Sequence, residues 1–423
     1  MDRAGGRGSA MTTAVQTDLR EQAAQRFQQL GWPTPELEEW KFTNLAPIER
    51  VKWRADNGEA RASQKTGIVS MRGQALAELV FVNGRFVDSA GGGAGLEILP
   101  ISRAASHPMF DRHYARYADY QRHALTALNT AKAQDGALVV VRDGIFLDGF
   151  IHLLFIGAGD GIWSHPRNLI VLGRGAQAAV VETFVGDGNY FTNAVTEIVA
   201  GESSVVDHYR LERESADAFH IATVQIHQER SSTVTSRNVA LGGGLVRSEV
   251  NVALAGEGAN LTLDGLFVLA DSQHVDNHTV IDHVKPHCDS LELYKGILDG
   301  KSRGIFDGLI IVRPDAQKTN SRQVNRNLLL SENAIIDSKP TLEIQNDDVK
   351  CSHGSTIGQL DQEAMFYLRA RGISESEARS LLIYAFASEI VDRMKIDAVK
   401  ENIRAAMLRR IPKGLPERRS AAR

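Results

Sequence analysis

The stretch "SEVNVALAGEGANLTLDGLF", residues 248–267, decides the fold. Val250, Val252 and Leu254 alternate with Glu249, Asn251 and Ala253. Beyond the turn, Leu261 and Leu263 alternate with Thr262 and Asp264. A side-chain period of two belongs to a strand with one buried face. The segment "IATVQIHQ" (221–228) repeats it, setting Ala222, Val224 and Ile226 against Thr223, Gln225 and His227.

The turns between such strands share a form, two or three polar or Gly/Pro residues followed by a small one. They read "GRGA", "GESS", "ERSS", "GEGA", "KPHC", "RPDA" and "SENA", ending at Ala176, Ser204, Ser232, Ala259, Cys288, Ala316 and Ala334. Those ends are 28, 28, 27, 29, 28 and 18 residues apart. Each unit of about 28 residues holds two strands and no crossover helix. That pattern predicts a mainly β chain wound as a parallel β-helix or flattened solenoid. The alternative is an antiparallel sandwich with evenly spaced hairpins. Asn-Gly hairpin turns are scarce, which favours the solenoid.

A solenoid exposes strand edges at both ends, and flanking helices can cover them. Upstream, Thr17–Leu30 reads as a helix ended by Gly31. "WPTPELEEWKF" offers Thr34 as N-cap and Pro35 as first helical residue, and a further helix is expected over Asp119–Ala133. Downstream, Asp361 caps a helix that runs to Arg371 and stops at Gly372. Ser374 and Glu377 then form a capping box. The helix it opens carries an apolar stripe through Leu381, Leu382, Ala385, Phe386 and Ile390, with Glu389 on the same line. A last helix holds Ile396, Val399, Ile403 and Met407. The expected organisation is a disordered leader (1–15, with Met11 as a second candidate start), a mainly helical region (16–135), the β-helix core (136–358) and a helical end with a basic tail (359–423).

The chain has 423 residues, 43% of them apolar, enough for a sizeable core. With 48 basic and 52 acidic residues the net charge is −4, which gives no argument for nucleic acid or an anionic membrane as partner. No apolar run spans a bilayer, and "MDRAGGRGSAMTT" has no apolar signal core. Two cysteines exclude a disulfide framework and fit a reducing cytoplasm. They also limit metal chemistry, since an iron–sulfur cluster usually takes four thiolates and a structural zinc four Cys/His ligands.

Three segments suggest chemistry. "KGILDGKS" (295–302) ends like a phosphate-binding loop, but Gly296 stands one place late and no helix pattern follows, so a solenoid turn is expected. "HVDNHTVIDHVKPHC" (274–288) gathers His274, His278, His283, His287 and Cys288. In strands, i and i+4 lie about 13 Å apart, too far for one ion, and polar outward faces are the expected reading. "NDDVKCSHGST" (346–356) holds Cys351 and His353 among carboxylates. As i and i+2 of an extended segment they face one way about 7 Å apart. A metal ligand pair, a nucleophile with its base and a polar junction loop all fit the bare residues. Many parallel β-helices cleave polysaccharides, so a stand-alone carbohydrate-active enzyme is the competing function.

Residues 303–391, from "RGIFDGLIIVRPDAQKTNSRQVNRNLLL" through "NDDVKCSHGSTIGQLDQEAMFYLRARG" to "LLIYAFASEIV", closely resemble the C-terminal half of the SufB/SufD family, scaffolds of iron–sulfur cluster assembly. "GWPTPELEEWKFTNL" (31–45) and "ALNTAKAQDGALVVV" (127–141) resemble the N-terminal region of its SufD branch. SufB-like members have more cysteines and a Glu-rich segment where this chain reads "KCSHGS". The resemblance implies a right-handed parallel β-helix between helical ends, in a cytoplasmic, non-enzymatic scaffold. It implies pairing with SufB at the C-terminal end of the coil; a homodimer without SufB is compatible with the sequence but not implied by it. It also implies docking of the ATPase SufC on the C-terminal helices, Phe366, Tyr367, Leu382, Tyr384 and Phe386 among them. His353 matches a histidine that would serve a cluster-assembly site shared with SufB, as a transient metal ligand; Cys351 is the weaker candidate beside it. The cluster would be transient, with no cofactor held by this chain alone; the sequence shows no dinucleotide fingerprint for a flavin.

Overall fold

The computed structural model describes residues 5–56 and 70–410, with side chains from residue 17 onward. Its centre is a parallel β-solenoid of about eight turns. The chain alternates between two facing sheets, one strand to each per turn. The first sheet runs from Ala137–Val141 through strands such as Phe219–Gln228, Leu245–Leu254 and His274–His283 to Ile335–Ile344. The second runs from Phe146–Ala158 through Val205–Arg213, Asn260–Leu269, Asp289–Leu298 and Asn320–Leu329 to Lys350–Gly358. The sandwich alternative is thereby excluded, because neighbouring coils pair in parallel.

The registers explain the repeat. Gln177 pairs with Val205, Val205 with Thr233, Thr233 with Asn260 and Asn260 with Asp289. The small residue before each of these, Ala176, Ser204, Ser232, Ala259 and Cys288, is buried at the corner. The residue before that is left-handed each time: Gly175 (φ 64°), Ser203 (57°), Ser231 (55°), Gly258 (72°) and His287 (59°). A left-handed non-glycine residue is uncommon, so the repeated corner imposes it. The next corner corrects the sequence reading. Asp289 pairs with Asn320, so Thr319, not Ala316, continues the series, and left-handed Lys318 (φ 59°) precedes it. This turn is two residues longer than the one before it. Ala334 opens a strand of the other sheet, which accounts for its odd spacing.

Alternate residues fill the space between the sheets. Val250, Val252, Leu254, Leu261 and Leu263 lie in the core, as does the Ala222, Val224 and Ile226 set. The N-terminal ends of both sheets are closed by antiparallel strands. Arg85–Gly91 pairs with Ala77–Val82, and Leu96–Pro100 with Ala137–Val141. The region 16–135 therefore carries strands that extend the sheets as well as helices.

The helices are α1 (Gly5–Leu30), α2 (Ala46–Glu49), α3 (Pro108–His113), α4 (Ala124–Lys132), α5 (Gln362–Ala370), α6 (Glu375–Val391) and α7 (Asp397–Arg410). Helix α1 begins well before Thr17, inside the stretch read as a leader. Thr34 caps no helix: Leu37 N–H donates to its carbonyl, and only the short 3₁₀ turn Glu38–Trp40 follows. The Asp119 helix starts later, at Ala124, because Asp119 is spent in a turn, its carboxylate accepting from Gln121 N–H at 2.8 Å. Residues 38–43 lie across the outer face of the first sheet. Arg247 stacks over Trp40 at 3.8 Å, and Thr43 donates to Asp276 at 2.5 Å.

The C-terminal caps follow the sequence. Asp361 accepts from the N–H of Glu363 and Ala364, the Ser374–Glu377 capping box forms, and Gly372 (φ 85°) stops α5. Ile383, Ala387, Ile390 and Val391 of α6, with Val399, Ile403 and Met407 of α7, pack on Tyr209, Val239, Leu266 and Leu293 of the second sheet's outer face. The buried face of α6 is thus rotated from the stripe read in the sequence, and Ala385 is exposed. Helix α5 buries nothing. Among the described residues no helix is long and apolar enough to cross a membrane. Lys413, Arg418, Arg419 and Arg423 of the basic tail lie outside the described residues.

Candidate functional site

Cys351 and His353 do not sit in a junction loop. They lie on Lys350–Gly358, the terminal strand of the second sheet. Asn346 shapes the turn before it, accepting from Asp348 N–H at 2.9 Å and donating to the Pro314 carbonyl at 2.6 Å. Register then fixes both neighbours below: Cys351 stands over Ser321, and His353 over Gln323. Both columns face the inside of the coil. Cys351 packs against the edge of the core, and burial pushes its thiol up, which suppresses the thiolate a nucleophile or metal ligand needs. His353 is exposed, and neither ring nitrogen is hydrogen-bonded among the described residues.

The column under His353 is polar. Gln323 is fully buried, and its Nε2 donates to Glu292 Oε2 at 2.7 Å. Glu292 is also fully buried; burial pushes its carboxyl up to about 7, against the hydrogen bond from Gln323. Gly308 of the facing sheet makes room for this chain of groups, since a Cβ there would come within 2.3 Å of Gln323 Nε2. Sequence reading missed Glu292 and Gln323. The signal was their spacing from His353 by one and two coils, but the long turn after Ala316 hid it.

The two terminal strands, Ile335–Ile344 and Lys350–Gly358, each have a neighbour on one side only. Lys350 N–H points to Thr319 O, so by alternation the N–H groups of Cys351, His353 and Ser355 face outward from the open edge. Ile335 N–H points to Ser302 O, which likewise turns the missing N–H of Pro340 toward the open edge. Ile335, Ile344 and Ile357 are exposed around this end, at 53%, 44% and 52%. Ser338 Oγ and Ser355 Oγ, 2.7 Å apart, link the two strands.

The five aromatic and leucine positions expected on the C-terminal helices divide into two groups. Phe366 and Tyr367 of α5 stand in solvent at 74% and 56% exposure. Leu382, Tyr384 and Phe386 of α6 are half-buried. Leu382 and Phe386 join Leu328, Ile357 and Leu360 around a groove of about 300 Å³ between α6 and the terminal strand.

The histidine-rich segment is not one site. His274 and His278 face outward, hydrogen-bonded to Thr43 (2.8 Å) and Arg247 (2.8 Å). His283 faces inward against Ser290 (2.9 Å), its pKa lowered to about 4 by burial, and Cys288 is a corner residue. The expected outward reading holds for His274 and His278, and His287 is exposed at its corner, while His283 and Cys288 are buried. "KGILDGKS" is the end of the strand Asp289–Leu298 plus a turn, as the sequence suggests. Among the described residues no three His, Cys, Asp or Glu side chains are grouped to hold a metal ion.

Comparison with known proteins agrees with this geometry. Residues 155–386 match the SufBD core domain of the SUF system of FeS cluster assembly, and residues 9–153 match the SufBD protein N-terminal region. The chain is 32% identical over 405 residues to the iron–sulfur cluster assembly protein SufD of Escherichia coli, covering 93% of each. It is 32% identical over 415 residues to an iron–sulfur cluster assembly SufBD family protein of Synechocystis, covering 94% of this chain and 91% of that protein. The Bacillus subtilis SufD is 24% identical over 418 residues, covering 93% of each. A solenoid whose last strands stay open, matched from one helical end to the other, places this chain in the SufBD family of iron–sulfur cluster assembly proteins, as a SufD-like member.

Proposed function

We propose that this chain is a non-catalytic scaffold subunit of a cytoplasmic SufBCD complex. Its open coil end pairs with SufB, and its C-terminal helices dock the ATPase SufC. The observation that carries the reading is the pair of unpaired strand edges at the end of the coil, with His353 on one of them. An unpaired edge ringed by exposed isoleucines invites another strand, and SufB would supply it. A second copy of this chain would occupy the same edge where SufB is absent.

In this reading the iron–sulfur cluster is the product built at the shared junction and passed on. His353 offers one ring nitrogen to iron, and SufB completes the ligand set, because this chain has only two thiols. Cys351 lines the floor of the site. On α5, Phe366 and Tyr367 offer the exposed anchors that a docking partner would cover. Helices α6 and α7 are packed on the second sheet, so force applied at α5 would reach the terminal strand through a short, rigid path.

Co-expression of this chain with SufB and SufC tests the reading. The three are expected to co-purify and to accumulate iron and acid-labile sulfide. Ile335→Glu with Ile357→Glu charges the open edges and is expected to abolish SufB capture while the chain stays folded. Undiminished capture by that variant would count against the edge as the junction.

A further inference from the structure

The inside of a coil is the natural place for apolar side chains, yet the column that ends in His353 is polar for its last three positions. Glu292, Gln323 and His353 are consecutive register partners, about 4.8 Å apart from strand to strand. The Gln323 amide is committed in one direction, its Nε2 donating to Glu292 at 2.7 Å. That leaves Gln323 Oε1, which is buried and has no hydrogen-bond partner among the described residues. A buried acceptor without a partner is destabilising, because it has given up water without gaining a donor. The next group along the column is the imidazole of His353. Gly308 opposite supplies the space that lets the Gln323 side chain lie along the column.

We propose that Gln323, held by Glu292, is a positioning residue for His353. The structure does not show this bond made; with the exposed His353 ring turned toward it, Gln323 Oε1 accepts a ring N–H, which fixes the imidazole in one neutral tautomer with the other nitrogen directed to the junction. An imidazole that donates one N–H to a fixed acceptor presents a lone pair of set direction on its second nitrogen. The role of Glu292 is to fix the polarity of the amide. When ionised, the carboxylate accepts only, and in that form it holds Nε2 toward itself and Oε1 toward His353. The ligand half of this inference rests on the scaffold reading above; the tautomer half does not.

The test uses the full chain and the SufBCD complex. With ¹⁵N-labelled histidine, the His353 ring is assigned by its disappearance in His353→Ala. The wild-type chain is expected to show one neutral tautomer. Gln323→Met keeps the length and removes the acceptor, and the mixture of a free imidazole is expected there. Glu292→Gln keeps a hydrogen bond but lets the Gln323 amide turn over, and is expected to give a mixture as well; it serves if Gln323→Met does not fold. In the complex, Gln323→Met is expected to slow cluster formation about tenfold or more, the usual range for a group behind a metal ligand. Identical tautomer populations in wild type and both variants overturn the positioning role, whatever the assembly rate. Full assembly by His353→Ala overturns the ligand role instead, and leaves the tautomer result to judge Gln323.

Discussion

Lys295 Nζ lies 2.6 Å from Glu389 Oε2 and ties α6 to the outer face of the second sheet. The lysine side chain is 3% exposed and sits over the Phe386 ring at 4.0 Å; the glutamate is 36% exposed. Burial pulls the Lys295 pKa down, against the pull of Glu389. The two partners are therefore not equivalent. Glu389→Leu strands a buried ammonium and is expected to cost about 1–3 kcal/mol. Lys295→Met keeps the apolar stem and removes the charge, at a cost below about 1 kcal/mol. Denaturant midpoints measure both, and equal losses would contradict the asymmetry.

Glu292 makes stability depend on pH in an unusual direction. Its folded pKa of about 7 exceeds the ordinary carboxylate value of 4.5. Between those values the folded chain holds the proton more tightly than the unfolded one. The stability linked to this group is complete below about pH 4.5 and is lost as pH rises through about 7. Glu292→Gln is thus expected to be neutral near pH 4.5 and stabilising above pH 7.5, by on the order of 3 kcal/mol. Stability curves of wild type and variant against pH check this, and parallel curves would contradict it.

Phe366 and Tyr367 bury little in the free chain. Phe366→Ala with Tyr367→Ala is expected to leave the melting temperature within about 1–2 °C, since such exposed changes stay near ±0.5 kcal/mol. Capture of SufC is expected to fall at least tenfold, because exposed aromatic anchors of this kind cost 2 kcal/mol or more when a partner covers them. A pull-down with unchanged SufC recovery would contradict docking on α5.

The solenoid was legible because its physics is local and repeated. Alternation named the inward residues, and the buried corners from Ala176 to Cys288 gave the period. The helix caps at Asp361 and Ser374 were legible for the same reason, since each needs only neighbours three residues away. What failed depended on register. The longer turn before Thr319 shifted the count, so the residues alone left a junction loop open for Cys351 and His353, which are on the coil's last strand. The same shift hid Glu292 and Gln323 beneath His353. The buried face of α6 was misjudged because the second sheet, not the helix pattern, decides which residues it covers. The histidines of 274–288 looked like one cluster in sequence, and the strand pleat sends His283 inward and its neighbours outward.

The central claim is that His353 supplies a ligand at a junction completed by SufB. The most direct measurement is iron and acid-labile sulfide per SufBCD complex for His353→Ala against wild type, with complex stoichiometry by light scattering. His353 is exposed on an edge strand, so the variant is expected to fold and assemble normally. The account predicts an intact complex whose cluster content falls at least tenfold. An intact complex with wild-type iron and sulfide would contradict it.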